Sequence, residues 1–208
     1  FLPFKPETVQ EYEVGLKFSN LFNRPIRFNV AGYYDDYKDI QKSRLFGLPN
    51  GTTVTRVANA AKARIQGFEA EASGRITDRL QFNAAVGLID AKFKEFIDLN
   101  PVTQAPVDRS GEDFQIPKWT ASGGLGYTFP VSFGEVSFSG DVYWQDDTNV
   151  NIASAIPIIQ RDFALVNGRI EVKIDSADVT VAGYLRNVFD KKYIIQVYDL
   201  RGSFGVVN

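Results

Sequence analysis

Paired carboxylates are the side chains whose type and spacing best suit chemistry in this sequence. Glu11 and Glu13 stand two residues apart, as do Glu69 and Glu71. Residues i and i+2 of a β-strand project from the same face, so each pair could share a proton as acid–base catalysts do. Alternating charges along a strand are more often solvated or paired with other charges. We therefore predict no catalytic residue and no enzymatic activity.

Other reaction chemistries are excluded by residue types. The sequence has no Cys and no His, which removes disulfides, thiolate and Ser–His catalysis, and the usual ligands of zinc and iron–sulfur sites. The acidic pairs at 35–36 and 146–147 lack the ligand spacing of a calcium loop. The glycine-rich run at 123–126 lacks the helix that follows a phosphate-binding loop. We predict no metal site and no cofactor.

The overall charge argues against nucleic acid as a partner. The 208 residues include 23 basic and 25 acidic ones, giving a net charge of −2, whereas a phosphate-binding domain needs a concentrated basic surface. The chain starts at Phe1 and contains no Met. This composition favours an interior or processed segment of a longer protein.

The elements that position these residues are β-strands, because apolar and polar residues alternate with a period of two. We predict eight strands, at residues 11–18, 26–34, 68–76, 80–88, 119–129, 136–144, 166–174 and 179–185. Most strands of soluble proteins have about 5 to 6 residues, whereas a tilted membrane-spanning strand needs about 9 to 11. The predicted lengths favour a transmembrane β-barrel over a soluble sandwich.

Short and long connections alternate between the predicted strands. The short ones are 19–25, 77–79, 130–135 and 175–178, and the long ones are 35–63, 90–117 and 145–162. Outer-membrane barrels show this asymmetry, with tight periplasmic turns at one rim and long extracellular loops at the other. The alternation therefore predicts an antiparallel barrel with that orientation.

Each predicted strand has one apolar face and one polar face. We predict that the aromatics of the apolar face form two lipid-facing girdles: Phe18, Phe28, Tyr34, Trp119, Tyr127, Phe129 and Trp144. We predict that the charges of the polar face line a lumen and contact a plug: Glu11, Glu13, Lys17, Glu69, Glu71, Arg75, Asp141, Arg169, Glu171 and Arg186.

Several segments, in order along the chain, resemble strands of the TonB-dependent outer-membrane receptors. They are KPETVQEYEVGLK at 5–17, NA at 59–60 with GFEAE at 67–71, LQFNAAVGLIDAKF at 80–93, PKWT at 117–120 and RNVFDKKY at 186–193. Each match is short, but the ordered set spans almost the whole chain. The sequence is therefore similar to the barrel of this family.

The resemblance implies about eight strands of a 22-stranded barrel. Residues 1–208 would be the C-terminal portion of a single barrel domain, without its plug and closing strand. It further implies a receptor of the Gram-negative outer membrane that imports a siderophore, cobalamin, haem or oligosaccharide. The implied partners are membrane lipid, the rest of the barrel with its plug, the TonB complex and the small nutrient. A surface lipoprotein or another outer-membrane protein is a further candidate partner.

Recognition of a ligand is expected from the long loops, since loops on a rigid scaffold commonly carry binding residues. The candidates for an anionic or aromatic ligand are Arg44, Phe46, Arg56, Arg109, Phe114, Arg161 and Arg201. One alternative remains open at this point. Eight strands can also close into a self-contained small barrel, which would have a structural or adhesion role.

Overall fold

The computed structural model describes residues 4–47, 53–99, 105–151 and 157–197. Within these ranges the chain forms antiparallel β-structure with a single 3-10 turn at Leu21–Asn23. The prediction of an all-β antiparallel fold is confirmed. Across the same ranges, no helix has the length and apolar character needed to cross a membrane.

The described residues form eleven strands, eight of them long and three short. The long strands are β1 (Thr8–Phe18), β2 (Ile26–Gly47), β3 (Thr53–Arg75), β4 (Leu80–Leu99), β6 (Trp119–Val131), β7 (Gly134–Gln145), β10 (Phe163–Ile174) and β11 (Val179–Leu185). The short strands are β5 (Pro106–Asp108), β8 (Thr148–Asn149) and β9 (Ile159–Gln160). The long strands follow one another in chain order across one sheet. β6 pairs with the first half of β4, and β5 pairs with the last residues of β4.

The long connections contain more strand than the sequence pattern predicts. β2 runs to Gly47 and β3 starts at Thr53, so most of the predicted 35–63 loop is a paired β-hairpin. β4 likewise continues to Leu99. Charged residues interrupt the apolar–polar alternation in these segments, but backbone pairing does not depend on that alternation. The short connections 19–25 and 175–178 have the predicted bounds. The predicted connection 77–79 starts one residue earlier, and the predicted 130–135 is only 132–133, because β6 and β7 both extend into it.

The strand register sorts side chains onto two faces. One row joins Lys17, Asn29 and Glu71, and we call its side of the sheet the polar face. A neighbouring row joins Phe28, Ala72 and Ala84 on the opposite, apolar face. Large apolar side chains of this second face are exposed, including Val14 at 76% and Leu125 at 59%. Such an extended exposed apolar surface requires a lipid or protein partner.

Three register shifts occur in the described parts of β2, β3 and β4. The register of β2 with β3 shifts between Tyr37 and Ile40, where Asp39 has a φ of 56°, and it shifts again between Ile40 and Gln41. Asp tolerates this left-handed conformation better than most residues. The register of β3 with β4 shifts between Lys62 and Ala63. The first shift brings even-numbered Ile40 onto the polar face, beside odd-numbered Ala61.

The best-packed part of the described chain lies around the register shift at Ile40, between β2, β3 and β4. Ile40, Ala61, Ala63, Phe93 and Phe96 form a buried apolar cluster. Three partly buried residues pack against it: Tyr37, Ala60 and Phe114. This cluster stiffens the hairpin beyond the part of the sheet where lipid-facing residues are predicted.

The two ends of the sheet are β1 and β11. A self-contained eight-stranded barrel would require these two strands to pair. In the part of the chain that the structure describes, they lie at opposite edges of the sheet. The described sheet is therefore an open segment of wall.

Candidate functional site

The polar face carries a group of cations and aromatic rings at the top of the long hairpin. We call Lys42, Phe93, Phe96, Arg109 and Phe114 the cation–aromatic cluster. The Lys42 ammonium lies 5.1 Å from the centre of the Phe93 ring and 5.9 Å from that of Phe114. The Arg109 guanidinium lies 5.7 Å from the centre of the Phe96 ring. These distances fall within the range of cation–π attraction.

Backbone hydrogen bonds bring the segment after β5 against β4. The amide of Arg109 donates to the carbonyl of Phe96 (2.8 Å), and the amide of Phe114 donates to that of Ala91 (2.8 Å). The Phe93 ring consequently lies between two others, with centroid distances of 4.7 Å to Phe96 and 4.5 Å to Phe114. The loop therefore completes a three-ring surface that β4 begins.

Burial and charge act together on Lys42, which lies beyond the predicted membrane-spanning part of β2. Burial lowers its pKa from the ordinary value, and the positive charge of Arg109 lowers it further. Arg109 itself is held by Asp98 at 3.4 Å and by Glu112 at 2.8 Å. Lys42 and Arg109 thus share one aromatic surface, and Asp98 and Glu112 balance the charge of Arg109. Lys42 is therefore the cation of this surface that suits a ligand with negative charge and a flat apolar group.

Glu7 joins the start of β1 to the same hairpin. Its carboxylate accepts a hydrogen bond from the Tyr37 hydroxyl (2.6 Å) and another from the Gln41 amide (2.5 Å). The Tyr37 bond is the main cause of a lowered pKa for Glu7, and the Gln41 bond adds to it. The Asn59 side chain also accepts a hydrogen bond from the Lys5 amide (2.7 Å). These contacts attach the residues before β1 to the β2–β3 hairpin, close to its register shift at Asp39.

The predicted ligand residues lie in several places. Arg44 pairs in register with Arg56 near the tip of the β2–β3 hairpin, and Phe46 lies two residues further on. Arg161 forms an ion pair with Asp147 at 3.5 Å, with its side chain 82% exposed. Arg201 lies outside the described residues. Two of the seven predicted ligand residues, Arg109 and Phe114, lie together in the cation–aromatic cluster.

The charges predicted to face a lumen lie along the polar face. Glu13, Lys17, Glu69 and Glu71 line a concavity of about 450 Å³, which Glu11 extends two residues up β1. Arg75 pairs in register with Gln81.

Several polar-face residues have side-chain partners on the sheet. Glu71 accepts a hydrogen bond from Asn29 (2.6 Å), and Asp141 accepts one from Asn167 (2.6 Å). Arg169 forms an ion pair with Glu171, and the Arg186 guanidinium lies 5.3 Å from the centre of the Tyr184 ring.

The predicted girdle aromatics lie on the apolar face at two levels. Near the short turns, the Phe18 and Phe28 rings are 6.1 Å apart, and the Tyr127 and Phe129 rings are 4.4 Å apart. Near the long loops, the Trp119 ring packs edge-on against Phe68 at 5.6 Å. Trp144 donates a hydrogen bond to Asp162 at 3.4 Å, and Tyr34 is 36% exposed.

Three members of the cluster are missing from the sequence prediction: Lys42, Phe93 and Phe96. All three fall in segments that the sequence analysis assigns to loops. The alternation from Gly87 through Ile89 and Ala91 to Phe93 continues the polar face of β4 and could have revealed Phe93. The position of Lys42 depends on the phase shift in β2, which the sequence pattern does not show.

No described part of the chain arranges three or more metal-ligating side chains as an ion site.

Comparison with known proteins matches this geometry to a family. The family model described as "TonB dependent receptor-like, beta-barrel" matches residues 2–188. The ferric-pyoverdine M114 receptor PbuA of Pseudomonas sp. (strain M114) is 28% identical over 209 residues. That similarity covers 98% of this chain and 23% of the relative, so the chain spans about a quarter of the relative's length.

Solved structures show the same fold at low sequence identity. The siderophore receptor PiuA from Acinetobacter baumannii matches 91% of this chain and 25% of its own, with a TM-score of 0.72 and 17% identity. The ferripyoverdine receptor of the outer membrane of Pseudomonas aeruginosa, bound to ferripyoverdine, matches 93% of this chain and 25% of its own, with a TM-score of 0.70 and 20% identity. The chain belongs to the TonB-dependent receptor β-barrel family.

Proposed function

We propose that this chain is part of the wall of an outer-membrane receptor that binds and imports a ferric siderophore. The supporting observation is the cation–aromatic cluster on the polar face, above the level where the strands carry girdle aromatics on the other face. Family membership supports the transport class, and the names of the similar receptors support a ferric siderophore over cobalamin, haem or an oligosaccharide. The proposal includes no catalytic step.

The apolar face supports a location in the Gram-negative outer membrane. Its exposed aliphatic side chains lie between the two aromatic levels, as the lipid-exposed band of a barrel requires. We infer that the missing neighbours of β1 and β11 are further strands of the same barrel. In hydrocarbon, an unpaired strand edge would leave its backbone groups without hydrogen bonds. Residues 1–208 would then be the C-terminal portion of that barrel domain.

The cluster offers a ferric siderophore two kinds of contact. The Lys42 ammonium attracts anionic oxygen donors, and the guanidinium of Arg109 offers N–H donors although Asp98 and Glu112 balance its charge. The three phenylalanine rings offer apolar surface to a planar organic group. The partial burial of Lys42 increases the strength of its interaction with an anion, because screening by water is reduced.

The polar face is proposed to contact a plug domain. Glu11, Glu13, Glu69 and Glu71 lie near one another on β1 and β3, with Lys17 as a nearby cation. This acidic surface would attract basic side chains of a plug. Energy from the TonB complex would then move the plug and release the ligand inward.

Binding of a ferric pyoverdine to the complete receptor tests this proposal. Replacing Lys42 and Arg109 together by Gln should weaken binding about 30-fold or more, since each lost charge-assisted contact is worth about 1 to 3 kcal/mol. The matched control is Lys192→Gln, an exposed lysine after β11 with its side chain 87% exposed. Equal binding by the wild type and the double variant would contradict the assignment of the cluster.

A further inference from the structure

A second charged surface lies on the opposite side of the same hairpin. It continues the apolar face upward: Tyr34 is followed along β2 by Asp36 and Lys38, and Phe68 is preceded along β3 by Gln66 and Arg64. On β4, Leu88 is followed by Asp90 and Lys92. On this face, the residues that follow Tyr34, Phe68 and Leu88 towards the long loops are therefore polar or charged.

This surface carries three separate ion-paired groups, which together contain more cations than carboxylates. We call it the basic band, and it comprises Lys38, Lys62, Arg64, Lys92, Lys94 and Lys118 with Asp36, Asp90, Glu95 and Asp113. Three of the four carboxylates are each shared by two cations. The band has a net charge of +2, whereas the chain as a whole has a net charge of −2.

The sharing is clearest at Asp36. The Lys38 and Lys94 ammonium groups lie 3.1 Å and 3.0 Å from its two carboxylate oxygens. Asp90 is shared in the same way by Arg64 at 3.3 Å and Lys92 at 3.9 Å. Lys92 also pairs with Asp113 at 3.6 Å. The group around Asp36 and the group around Asp90 and Asp113 therefore each keep one positive charge that a further anion can neutralise. The cation side chains are between 36% and 51% exposed, which leaves them accessible.

We propose that the basic band binds the phosphate groups of a lipid headgroup in the outer leaflet. The girdle aromatics Tyr34 and Trp119 mark the edge of the hydrocarbon, and Lys38 lies about 13 Å along β2 beyond Tyr34. The proposal places the phosphates of the leaflet in this interval. Basic side chains next to a membrane-spanning segment bind anionic headgroups through electrostatic attraction.

The two faces of the hairpin would therefore serve different ligands. The cation–aromatic cluster faces the inside of the barrel, and the basic band faces the lipid. This inference goes beyond the proposed uptake function and does not depend on the identity of the siderophore. A phosphate-bound band would fix the height of the long hairpin relative to the membrane surface.

The test measures retention of lipid A by the complete receptor in detergent, using native mass spectrometry. Bisphosphoryl lipid A, monophosphoryl lipid A and inorganic phosphate are the three probes. We expect bisphosphoryl lipid A to bind more tightly than the monophosphoryl form. Replacing Lys38 and Lys94 by Gln should weaken its binding about 30-fold, equivalent to about 2 kcal/mol for two lysines near an anionic surface.

Three controls make the outcome decisive. Lys192→Gln should bind lipid A like the wild type, and the K38R/K94R pair should restore binding. Heat-modifiability on gels checks that each variant is folded. If K38Q/K94Q does not fold, R64Q/K92Q tests the pair on Asp90 in its place.

Two results would overturn the proposal. Lipid A binding by the folded Gln variants at the wild-type level would remove the basic band as the site. Inorganic phosphate binding as tightly as lipid A would assign the band to a free anion. Ferric pyoverdine binding by K38Q/K94Q should be unchanged, because the two surfaces lie on opposite faces. Failure of the uptake proposal and failure of this one are therefore distinguishable.

Discussion

The Lys42 ammonium lies 5.1 Å from the centre of the Phe93 ring, although β2 and β4 are separated by β3. The contact reaches across β3 because the intervening residues of that strand are Ala61 and Ala63, which are 5% and 0% exposed. Small side chains at these two positions let long side chains from the neighbouring strands meet above them. The cluster therefore depends on two alanines that are not among its five members.

Ala63→Leu should disrupt the cluster without removing any of its members. A larger side chain at a fully buried position forces its neighbours from their places, at a cost of about 1 to 3 kcal/mol. We expect lower thermal stability and weaker ferric pyoverdine binding in the complete receptor. Ala182→Leu is the matched control, because Ala182 is exposed on β11. A normal ligand affinity for Ala63→Leu would show that β3 does not organise the cluster.

Lys42→Met should weaken ligand binding without lowering the thermal stability of the receptor. Burial and the charge of Arg109 lower the pKa of Lys42 in the folded state, so the charge of Lys42 opposes folding. The free energy of unfolding attributable to this residue therefore rises with pH between that lowered pKa and the ordinary value of 10.5. Met keeps the apolar stem and removes the charge, so the thermal midpoint at neutral pH should stay equal or increase. Ferric pyoverdine binding should weaken about tenfold, as loss of one charge-assisted contact implies. Unchanged binding would contradict a ligand role for Lys42.

The hydrogen bond between Tyr37 and Glu7 should give the hairpin an acid-sensitive contribution. The pKa of Glu7 is lowered below its ordinary value of 4.5, so its stabilisation is present above that value and is lost as pH falls through the lower, folded-state pKa. The difference in thermal midpoint between the wild type and Glu7→Gln should therefore shrink below about pH 4.5. Tyr37→Phe should show the same trend, and the double variant should add little to either single one. Additive effects would mean that the two residues act independently.

Gly67→Ala should destabilise the sheet, whereas Gly168→Ala should not. A Cβ at Gly67 would overlap the Leu88 carbonyl oxygen and lie 2.7 Å from the Tyr33 hydroxyl, whereas one at Gly168 would meet nothing within 4 Å. We expect a loss of about 1 to 3 kcal/mol for the first change. The second should be neutral or stabilising by about 0.5 to 1 kcal/mol. Urea unfolding in detergent or lipid vesicles measures both, and equal stabilities would refute the close contact at Gly67.

Val142→Arg should impair membrane insertion. Val142 lies on the apolar face of β7, 41% exposed, and an Arg on the lipid face near the midplane costs about 2 to 4 kcal/mol. Ser122→Arg on the polar face should insert normally, because Ser122 shares a row with Glu71 and the lysine Lys17. The folded fraction on a heat-modifiability gel reports both. Equal insertion of the two variants would mean that the face assignment is wrong.

The sequence by itself determined the eight long strands, the two faces and the short turns. These features follow from local alternation: along a strand, side chains at Val14 and Glu13 must point to opposite sides wherever the strand lies. The family resemblance also rests on short local segments such as GFEAE at 67–71, which the family match over residues 2–188 supports.

Only the tertiary structure decided which side chains meet above the predicted membrane band. Alternation is lost where β2 and β4 carry charges on both faces, so the sequence pattern suggested loops there. The phase shift at Asp39 moves Lys42 to the polar face, and β3 sets its distance from Phe93. Neither effect is visible locally, because both depend on register with a neighbouring strand. The cation–aromatic cluster and the basic band exist only once three strands are aligned.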